Sequence, residues 1–246
     1  MTDILPVLNK LKTLNSFTRA DVSLVMEQCG YNATESTVNH AVSRMLEDRN
    51  VVRIGRNRYR IDDKLTTYAF PHSELAVSLA GEIISSHPYL DFRIFELVQL
   101  NEFVNHQIAN NIIFVSIEAG LEEDVFNTLW ESHHGSALLK PGTEELFRYL
   151  SEDMIVICKL ATESPKGKPD FWDTRLEKLL VDIAVDKLLK SIVYSGEYPA
   201  IYREAMRKYA IDKSVMTRYL RRRGALQKFR EFLQNEAGIS QEELSI

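Results

Sequence analysis

Residues 32–50, NATESTVNHAVSRMLEDRN, run directly into residues 51–61, VVRIGRNRYRI. In the first segment, apolar residues recur every three or four positions: Val38, Ala41, Val42, Met45 and Leu46. This spacing places them on one face of an amphipathic helix that packs against a core. The helix is predicted to begin ahead of these residues, capped either by Asn32 with Glu35 or by Thr34.

The opposite face of this helix carries small polar side chains: Ser36, Asn39, His40 and Ser43. Such side chains can hydrogen-bond the edges of bases in a DNA major groove, so they are the predicted base-reading residues. Arg44 lies to one side of this face, where it is better placed to contact phosphate.

The second segment predicts a two-stranded hairpin with Gly55-Arg56-Asn57 as its turn, because Gly and Asn tolerate the backbone angles of tight turns. Its basic residues are predicted to contact the DNA backbone: Arg53, Arg56, Arg58 and Arg60. An ordinary charged surface hairpin is the alternative. The order of elements argues against it, because three helices followed by a hairpin form a winged helix-turn-helix.

Two further helices precede this pair of elements. Residues 2–14 have the spacing of an amphipathic helix. A second helix begins at Thr18, with Asp21 as its reciprocal capping partner, and ends at Gly30. We therefore predict a winged helix-turn-helix DNA-binding domain over residues 1–64.

Residues 65–246 are predicted to form a second domain. Strand-like and helix-like stretches alternate from residue 73 to 160, and NIIFVSIE and MIVICKL are nearly continuous apolar runs typical of central strands. The chain is helical from about residue 173, beginning with one helix over FWDTRLEKLLVDIAVDKLLK. The predicted fold class is α/β (α+β): a winged helix-turn-helix, then a small mixed-sheet α/β domain with a C-terminal helical bundle.

Charge is distributed unevenly along the chain. The net charge is −5, yet residues 38–60 carry six basic and two acidic side chains, and residues 203–230 carry ten and two. Residues 65–202 carry ten basic and twenty-one acidic side chains. An acidic middle with two basic segments argues against a general nucleic-acid binder and favours contact through two local patches.

The second patch is predicted on the C-terminal helices, from basic residues that recur at about one helical turn: Arg207, Lys208, Arg218, Arg221, Arg222 and Arg223. It would neutralise phosphates without reading sequence. Two patches about a domain apart would suit a protein lying along an operator as a dimer over inverted repeats, although the sequence leaves the oligomeric state open. The alternative is a solubilising basic face, or one that pairs with the acidic middle.

Composition is that of a globular protein in a reducing compartment. No apolar run approaches the ~20 residues that a membrane span needs, and the N-terminus lacks the pattern of a signal peptide. Cys29 and Cys158 are far apart in sequence and lie in apolar settings, which indicates reduced thiols. The expected location is the cytoplasm, without a membrane partner.

The acidic residues of the second half match no catalytic pattern. A nucleotidyltransferase needs a Gly-Ser turn followed by two carboxylates that flank one strand position and hold metal ions. Gly135-Ser136 is present, but the carboxylates that follow it are adjacent on a helix. His133-His134 has no further ligand at metal spacing. We predict no enzymatic activity, no metal and no cofactor.

Three acidic residues of the helical segment are candidates for a functional role, but each is interpreted as part of a salt bridge. Asp182 and Asp186 are interpreted as members of an exposed, ion-paired helical stripe with Lys178 and Lys190. Glu177 interrupts an apolar stretch and is interpreted as the partner of a neighbouring basic residue, Arg175 or Lys178.

Five later stretches, taken together with the predicted winged helix, carry a family resemblance: LVQLNEF (97–103), NIIFVSIEAG (111–120), RLEKLLVDIAVDKL (175–188), EAMRKYAID (204–212) and RYLRRRG (218–224). In this order they resemble the AbiEi-like antitoxin and transcriptional-regulator family of bacterial type IV toxin–antitoxin systems. The resemblance implies a cytoplasmic antitoxin that represses its own operon and counteracts a nucleotidyltransferase-like toxin, without a stable complex.

Two other functions stay open at this point. One is a ligand-sensing one-component transcription factor whose middle domain binds a small molecule. The other is a degraded nuclease or nucleotidyltransferase. An adjacent metabolic operon would favour the first, and metal-dependent turnover of nucleic acid or nucleotide would favour the second.

Overall fold

The computed structural model of the chain describes residues 4–47, 50–61, 67–133 and 135–239. Helices dominate these residues, together with a two-stranded and a four-stranded sheet. The four-stranded sheet mixes parallel and antiparallel pairs. The predicted α+β class is therefore confirmed.

The described residues up to 61, here called the N-terminal unit, form three helices and a hairpin. Their bounds are α1 (Leu5–Leu11), α2 (Arg19–Gln28), α3 (Glu35–Glu47), β1 (Val51–Gly55) and β2 (Arg58–Ile61). The first helix was predicted to reach residue 14. It ends earlier because the chain tightens into bonds to the third preceding residue, such as that from the Leu14 amide to the Leu11 carbonyl at 3.0 Å.

The hairpin is tied to the core of this unit through Tyr59. The Tyr59 and Phe17 backbones exchange two hydrogen bonds of 2.8 Å, and their rings stack with centroids 6.1 Å apart. Both side chains are buried, and they join the apolar faces of the three helices in one cluster. The hairpin is thereby held against the segment that leads into α2.

Helix α2 begins with the predicted capping box. The Thr18 side chain accepts a hydrogen bond from the Asp21 amide, and the Asp21 carboxylate accepts from the Thr18 amide at 2.7 Å and from its hydroxyl at 2.8 Å. These bonds, first from the backbone and then from the side chain of Thr18, lower the pKa of Asp21.

We expect Thr18→Ala to lower the free energy of unfolding by about 1 kcal/mol at neutral pH, the usual cost of losing an N-cap. The Thr18 hydroxyl, which the variant lacks, is one of the two donors that lower the folded-state pKa of Asp21, and the backbone amide remains. The stability from the hydroxyl bond to the carboxylate is present above the ordinary pKa of 3.8 and is lost as the pH falls through the folded pKa, so the stability difference should shrink in part. Urea denaturation of the wild type and variant at neutral and acidic pH checks this. A stability difference that stays constant into strong acid would contradict it.

The described residues from 67 onward, here called the C-terminal unit, begin with the sheet and its helices. The elements are α4 (Glu74–Ser86), β3 (Phe92–Glu96), β4 (Ile112–Ile117), α5 (Glu122–Ser132), β5 (Ala137–Leu139), α6 (Thr143–Arg148) and β6 (Met154–Lys159). A 3-10 turn follows β3. The strand order is β3-β4-β6-β5, so the two apolar runs are the central strands, as predicted.

Helices form the rest of this unit. They are α7 (Leu176–Val185), α8 (Lys187–Ile192), α9 (Tyr198–Lys208), α10 (Lys213–Arg222) and α11 (Leu226–Phe232), followed by a π-helical turn (Leu233–Ala237). The predicted single helix over residues 171–190 is wrong. Asp186 has an extended backbone and caps α8, accepting hydrogen bonds from the Leu188 and Leu189 amides. A new helix therefore starts where one was expected to continue.

Apolar side chains cover both faces of the four-stranded sheet. One face packs against α4 and α5, and the other packs against α7 and the helices that follow it. The core of the N-terminal unit is a separate cluster. The predicted domain boundary, between residues 64 and 65, lies outside the described residues and stays a prediction.

Helix α10 lies beside β1 of the hairpin, and Glu177 helps to hold its start. Glu177 is buried, and its carboxylate accepts a hydrogen bond from Arg175 Nε at 2.9 Å, which is the salt bridge expected from the sequence. It also accepts one from the Asp212 amide at 2.8 Å, and Asp212 caps α10. One buried carboxylate thus joins the start of α7 to the start of α10.

Candidate nucleic-acid interface

Helix α3 presents the polar face that its sequence predicts. The Thr34 hydroxyl accepts a hydrogen bond from the Thr37 amide at 3.3 Å, so of the two predicted caps Thr34 is the one whose side chain bonds to the helix backbone. The apolar face is buried: Val38, Ala41, Val42 and Met45. The predicted base-reading residues stay accessible, with Ser36, His40 and Ser43 exposed and Asn39 half-buried.

The hairpin arginines divide into two groups. Arg56, Arg58 and Arg60 are exposed. Arg53 is half-buried and lies opposite Tyr59 in the strand ladder, with its guanidinium carbon 5.9 Å from the centre of the Tyr59 ring. Arg53 is therefore held against the core, whereas the other three extend from the surface of the hairpin.

A groove of about 540 Å³ lies between the hairpin and α10. Its lining residues come from both units: Arg53, Gly55, Arg56, Lys213, Ser214, Thr217, Arg218 and Arg221. Five of these side chains are basic and none is acidic. This groove, here called the basic groove, concentrates positive charge where an anion can approach.

Three arginines of the basic groove lack a carboxylate partner among the residues that the structure describes. Arg56, Arg218 and Arg221 make no ion pair with a carboxylate of the described residues. The pKa of Lys213 is lowered by burial and then by the charge of Arg60, which places Arg60 close to the groove as well. Cations held together in this way attract a polyanion and release its counterions on binding.

The prediction of two basic patches a domain apart is wrong. Arg53 and Arg56 of the first predicted patch line the same groove as Arg218 and Arg221 of the second. The reason is that α10 packs beside β1 and turns one of its faces toward the hairpin. The structure thus joins parts of both patches into one surface.

Four residues of the second predicted patch are paired with acidic groups instead. Arg207 Nε donates to Glu204 Oε1 at 3.1 Å. Lys208 donates to the Glu102 carbonyl at 2.8 Å and lies 3.8 Å from the Glu102 carboxylate. Arg207 thus pairs within α9 and Lys208 contacts the turn after β3, and both are absent from the groove lining.

Arg222 and Arg223 also point away from the basic groove. Arg222 Nε donates to Thr162 Oγ1 at 2.9 Å and lies 3.5 Å from the Glu163 carboxylate. Arg223 is half-buried and pairs with Asp182 on α7. Arg222 lies one helical turn after Arg218, but its side chain extends to the loop after β6 and does not line the groove.

The charged stripe predicted from Lys178 to Lys190 is ion-paired, but its first two members are buried, whereas Asp186 is half-buried and Lys190 is exposed. Lys178 and Asp182 are 5% and 7% exposed, and the Lys178 ammonium donates to the Asp182 carboxylate. Asp182 also accepts hydrogen bonds from the Tyr219 hydroxyl at 2.9 Å and from Arg223. This group of four side chains, of which Arg223 is half-buried and the other three are buried, is here called the Asp182 cluster, and it fastens α7 to α10.

Sequence reasoning missed Lys213, Ser214 and Thr217 as groove residues. The signal was available, because positions 213, 217 and 221 recur at four-residue spacing on one face of α10. The sequence alone does not indicate which face of α10 meets another element. In the structure, this face lies beside the hairpin.

Other kinds of site have less support among the residues that the structure describes. No three of their His, Cys, Asp or Glu side chains come together in a group that could hold a metal ion. None of the described helices combines the length and the apolar content needed to cross a membrane. Both cysteines are free and half-buried.

The fold and the groove define an α+β protein in which a helical unit with a basic hairpin and a mixed-sheet unit supply cations to one surface. The chain belongs to DUF6577, a family of unknown function, whose model matches residues 37–238. No curated protein matches it. Among solved structures, the crystal structure of the RV2827C protein from Mycobacterium tuberculosis is similar over 98% of this chain and 80% of that chain, with 12% identity and a TM-score of 0.38.

Proposed function

We propose that this protein is a DNA-binding transcriptional regulator and that the basic groove grips the phosphate backbone of its operator. The observation that carries the proposal is the convergence of five basic side chains from both units in a groove with no carboxylate among its described lining residues. An overall net charge of −5 makes this concentration stand out. The acidic remainder of the surface would keep the protein off DNA in other orientations.

In this proposal the N-terminal unit acts as a winged helix. Helix α3 enters the major groove with Ser36, Asn39, His40 and Ser43 toward the bases, and Arg44 beside them toward phosphate. The exposed hairpin arginines, Arg56, Arg58 and Arg60, contact the backbone, and α10 adds contacts of its own. Arg53 also contacts the backbone, and its side chain is held in place against the Tyr59 ring.

The biological role proposed with this activity is that of an antitoxin, and its support is the sequence resemblance to AbiEi-like regulators. The protein would repress its own operon in the cytoplasm, and it would counteract a nucleotidyltransferase-like toxin without catalysis and without a stable complex. We expect that co-expression with a neighbouring nucleotidyltransferase-like gene restores growth, and that the two proteins elute separately on gel filtration. Growth arrest despite co-expression would remove the antitoxin role and leave DNA binding standing.

The DNA-binding proposal is tested by fluorescence anisotropy on the few hundred base pairs upstream of the gene and on random DNA, at two salt concentrations. We expect a specific complex with the upstream DNA that survives the higher salt, while binding to random DNA is lost. Binding to neither DNA at low salt would overturn the proposal and leave the groove as a docking site for another anion.

The proposed base contacts of α3 can be tested separately from the phosphate contacts of the basic groove. Asn39→Ala or His40→Ala is expected to weaken specific binding by about 1–3 kcal/mol while leaving the affinity for random DNA unchanged, because a base contact adds discrimination and no counterion release. Competition titrations against random DNA measure both quantities. Equal losses on specific and random DNA would show that these residues do not read bases.

A further inference from the structure

A second cavity lies on the other side of α10, inside the C-terminal unit. Its volume is about 60 Å³, enough for on the order of four water molecules or an organic ion of similar size. Phe95, Phe114 and Leu189 supply apolar walls, and the Asp182 cluster supplies the polar wall. Nothing in the proposed DNA contacts uses this cavity.

The Lys178 ammonium is the group in this cavity with unused hydrogen-bond donors. It is 5% exposed, and its one hydrogen bond among the described residues goes to Asp182. An ammonium has three donors, so two remain without an acceptor from the described protein. A buried charge with unused donors is costly, and an acceptor placed in the cavity would reduce that cost.

The charge of the cavity favours a monoanion. Its charged lining residues are Lys159, Lys178 and Arg223 against Asp182 and Asp186, a net charge of +1, in which Lys159 is exposed and the other four are buried or half-buried. Burial raises the pKa of both Cys158 and Tyr219 to about 12, so neither adds negative charge near neutral pH. The Asp182 carboxylate is itself occupied by its three donors, which limits its repulsion of a second anion.

We propose that this cavity is a binding site for a small monocarboxylate of about the size of acetate or propionate. The carboxylate accepts hydrogen bonds from Lys178, and the short alkyl group lies against the phenylalanine and leucine walls. Size and charge both point to this class, because the cavity volume is close to that of a short monocarboxylate and an anion balances the net charge of +1.

Ligand occupancy is coupled to DNA affinity in this proposal, and that coupling rests on the proposed function. Tyr219 of α10 and Arg223 at its end line the carboxylate cavity, whereas Arg218 and Arg221 of the same helix line the basic groove. A ligand that alters the position of α10 would therefore alter the phosphate contacts, and by thermodynamic reciprocity DNA would alter ligand affinity.

Binding is tested without DNA, by isothermal titration of the full-length protein with sodium acetate and sodium propionate, and with sodium chloride as the matched salt. We expect saturable one-to-one binding of a carboxylate and a loss of at least about tenfold in Lys178→Met, the effect of removing one charge-assisted hydrogen bond. Absence of saturable carboxylate binding by the wild type, or equal binding by the variant, would overturn the site.

Lys178→Met leaves the Arg223–Asp182 pair in place, and circular dichroism checks that the variant folds. Ala161→Leu is the second variant, because Ala161 lines the cavity and a larger side chain fills it without removing a charge. We expect this variant to fold and to lose carboxylate binding. Undiminished carboxylate affinity in folded Ala161→Leu would place the ligand elsewhere and overturn the proposal.

The coupling is tested by repeating the upstream-DNA titration with saturating carboxylate at constant ionic strength. We expect a change of about threefold or more in DNA affinity for the wild type, the lower end of typical allosteric coupling, and no change for Ala161→Leu. Equal DNA affinity with and without ligand would overturn the coupling. Failure to bind DNA under any condition would overturn the proposed function. The calorimetric titration would still show whether the cavity binds a carboxylate.

Discussion

Replacing Arg218 and Arg221 together by alanine is expected to lower the affinity for upstream DNA by about two orders of magnitude, as the loss of two charge-assisted contacts implies. Both side chains are exposed, line the basic groove and have no carboxylate partner among the described residues. Each phosphate contact contributes close to one unit to the slope of log affinity against log salt, so the slope should fall by about 2. Anisotropy titrations over a series of salt concentrations measure both effects.

A matched control removes the same charge from the same part of the chain. Arg207→Ala with Arg222→Ala deletes two exposed arginines that pair with Glu204 and Glu163 and lie outside the groove lining. We expect this variant to keep most of the affinity and most of the salt slope. A loss equal to that of the Arg218/Arg221 variant would mean that net charge, and not the groove, determines binding.

Replacing Asp182 by leucine is expected to lower the free energy of unfolding by about 3–5 kcal/mol, the range for removing one partner of a buried ion pair. Asp182 accepts hydrogen bonds from Lys178, Tyr219 and Arg223, and its loss leaves two cations without their shared partner. Because these contacts fasten α7 to α10, DNA affinity should fall as well. Urea denaturation followed by circular dichroism measures the change in stability.

The pH dependence of this effect has a definite sign. Burial alone would lower the pKa of Lys178, but the Asp182 carboxylate outweighs it and raises the pKa above the ordinary 10.5. The stability from this pair is therefore fully present below that value and lost only as the pH rises through the folded pKa. The difference between wild type and variant should stay constant from weakly acidic to weakly alkaline solution.

Glu204→Leu is the control for this second prediction. It removes a carboxylate from α9 that pairs with an exposed arginine, and surface pairs of this kind add little to stability. We expect unfolding to be unchanged within error. If both variants were equally stable, Asp182 would not hold buried charges together in solution.

Local pattern was enough to place the secondary structure that supports the interface. The buried face of α3, the capping box at Thr18 and the two central strands all follow from residue spacing over a turn of helix or a single strand. Such signals depend only on near neighbours in the chain, so the sequence alone specified them. The break at Asp186 escaped this reasoning, because the apolar spacing continues through it.

Side-chain partners across long sequence separations were decided by the tertiary structure alone. Helical spacing placed four arginines near one another: Arg218, Arg221, Arg222 and Arg223. It could not predict their different partners. In the structure, Arg218 and Arg221 line the groove beside the hairpin, Arg222 contacts a loop and Arg223 pairs with the buried Asp182. A helix presents several faces, and packing chooses which face meets which neighbour. The amino-acid sequence by itself therefore determined most of the elements and the two basic segments. The packing of α10 between the hairpin and α7 brings parts of the two basic segments together in one groove. Only the tertiary structure decides this, because charges on different elements act together only where the core holds those elements side by side.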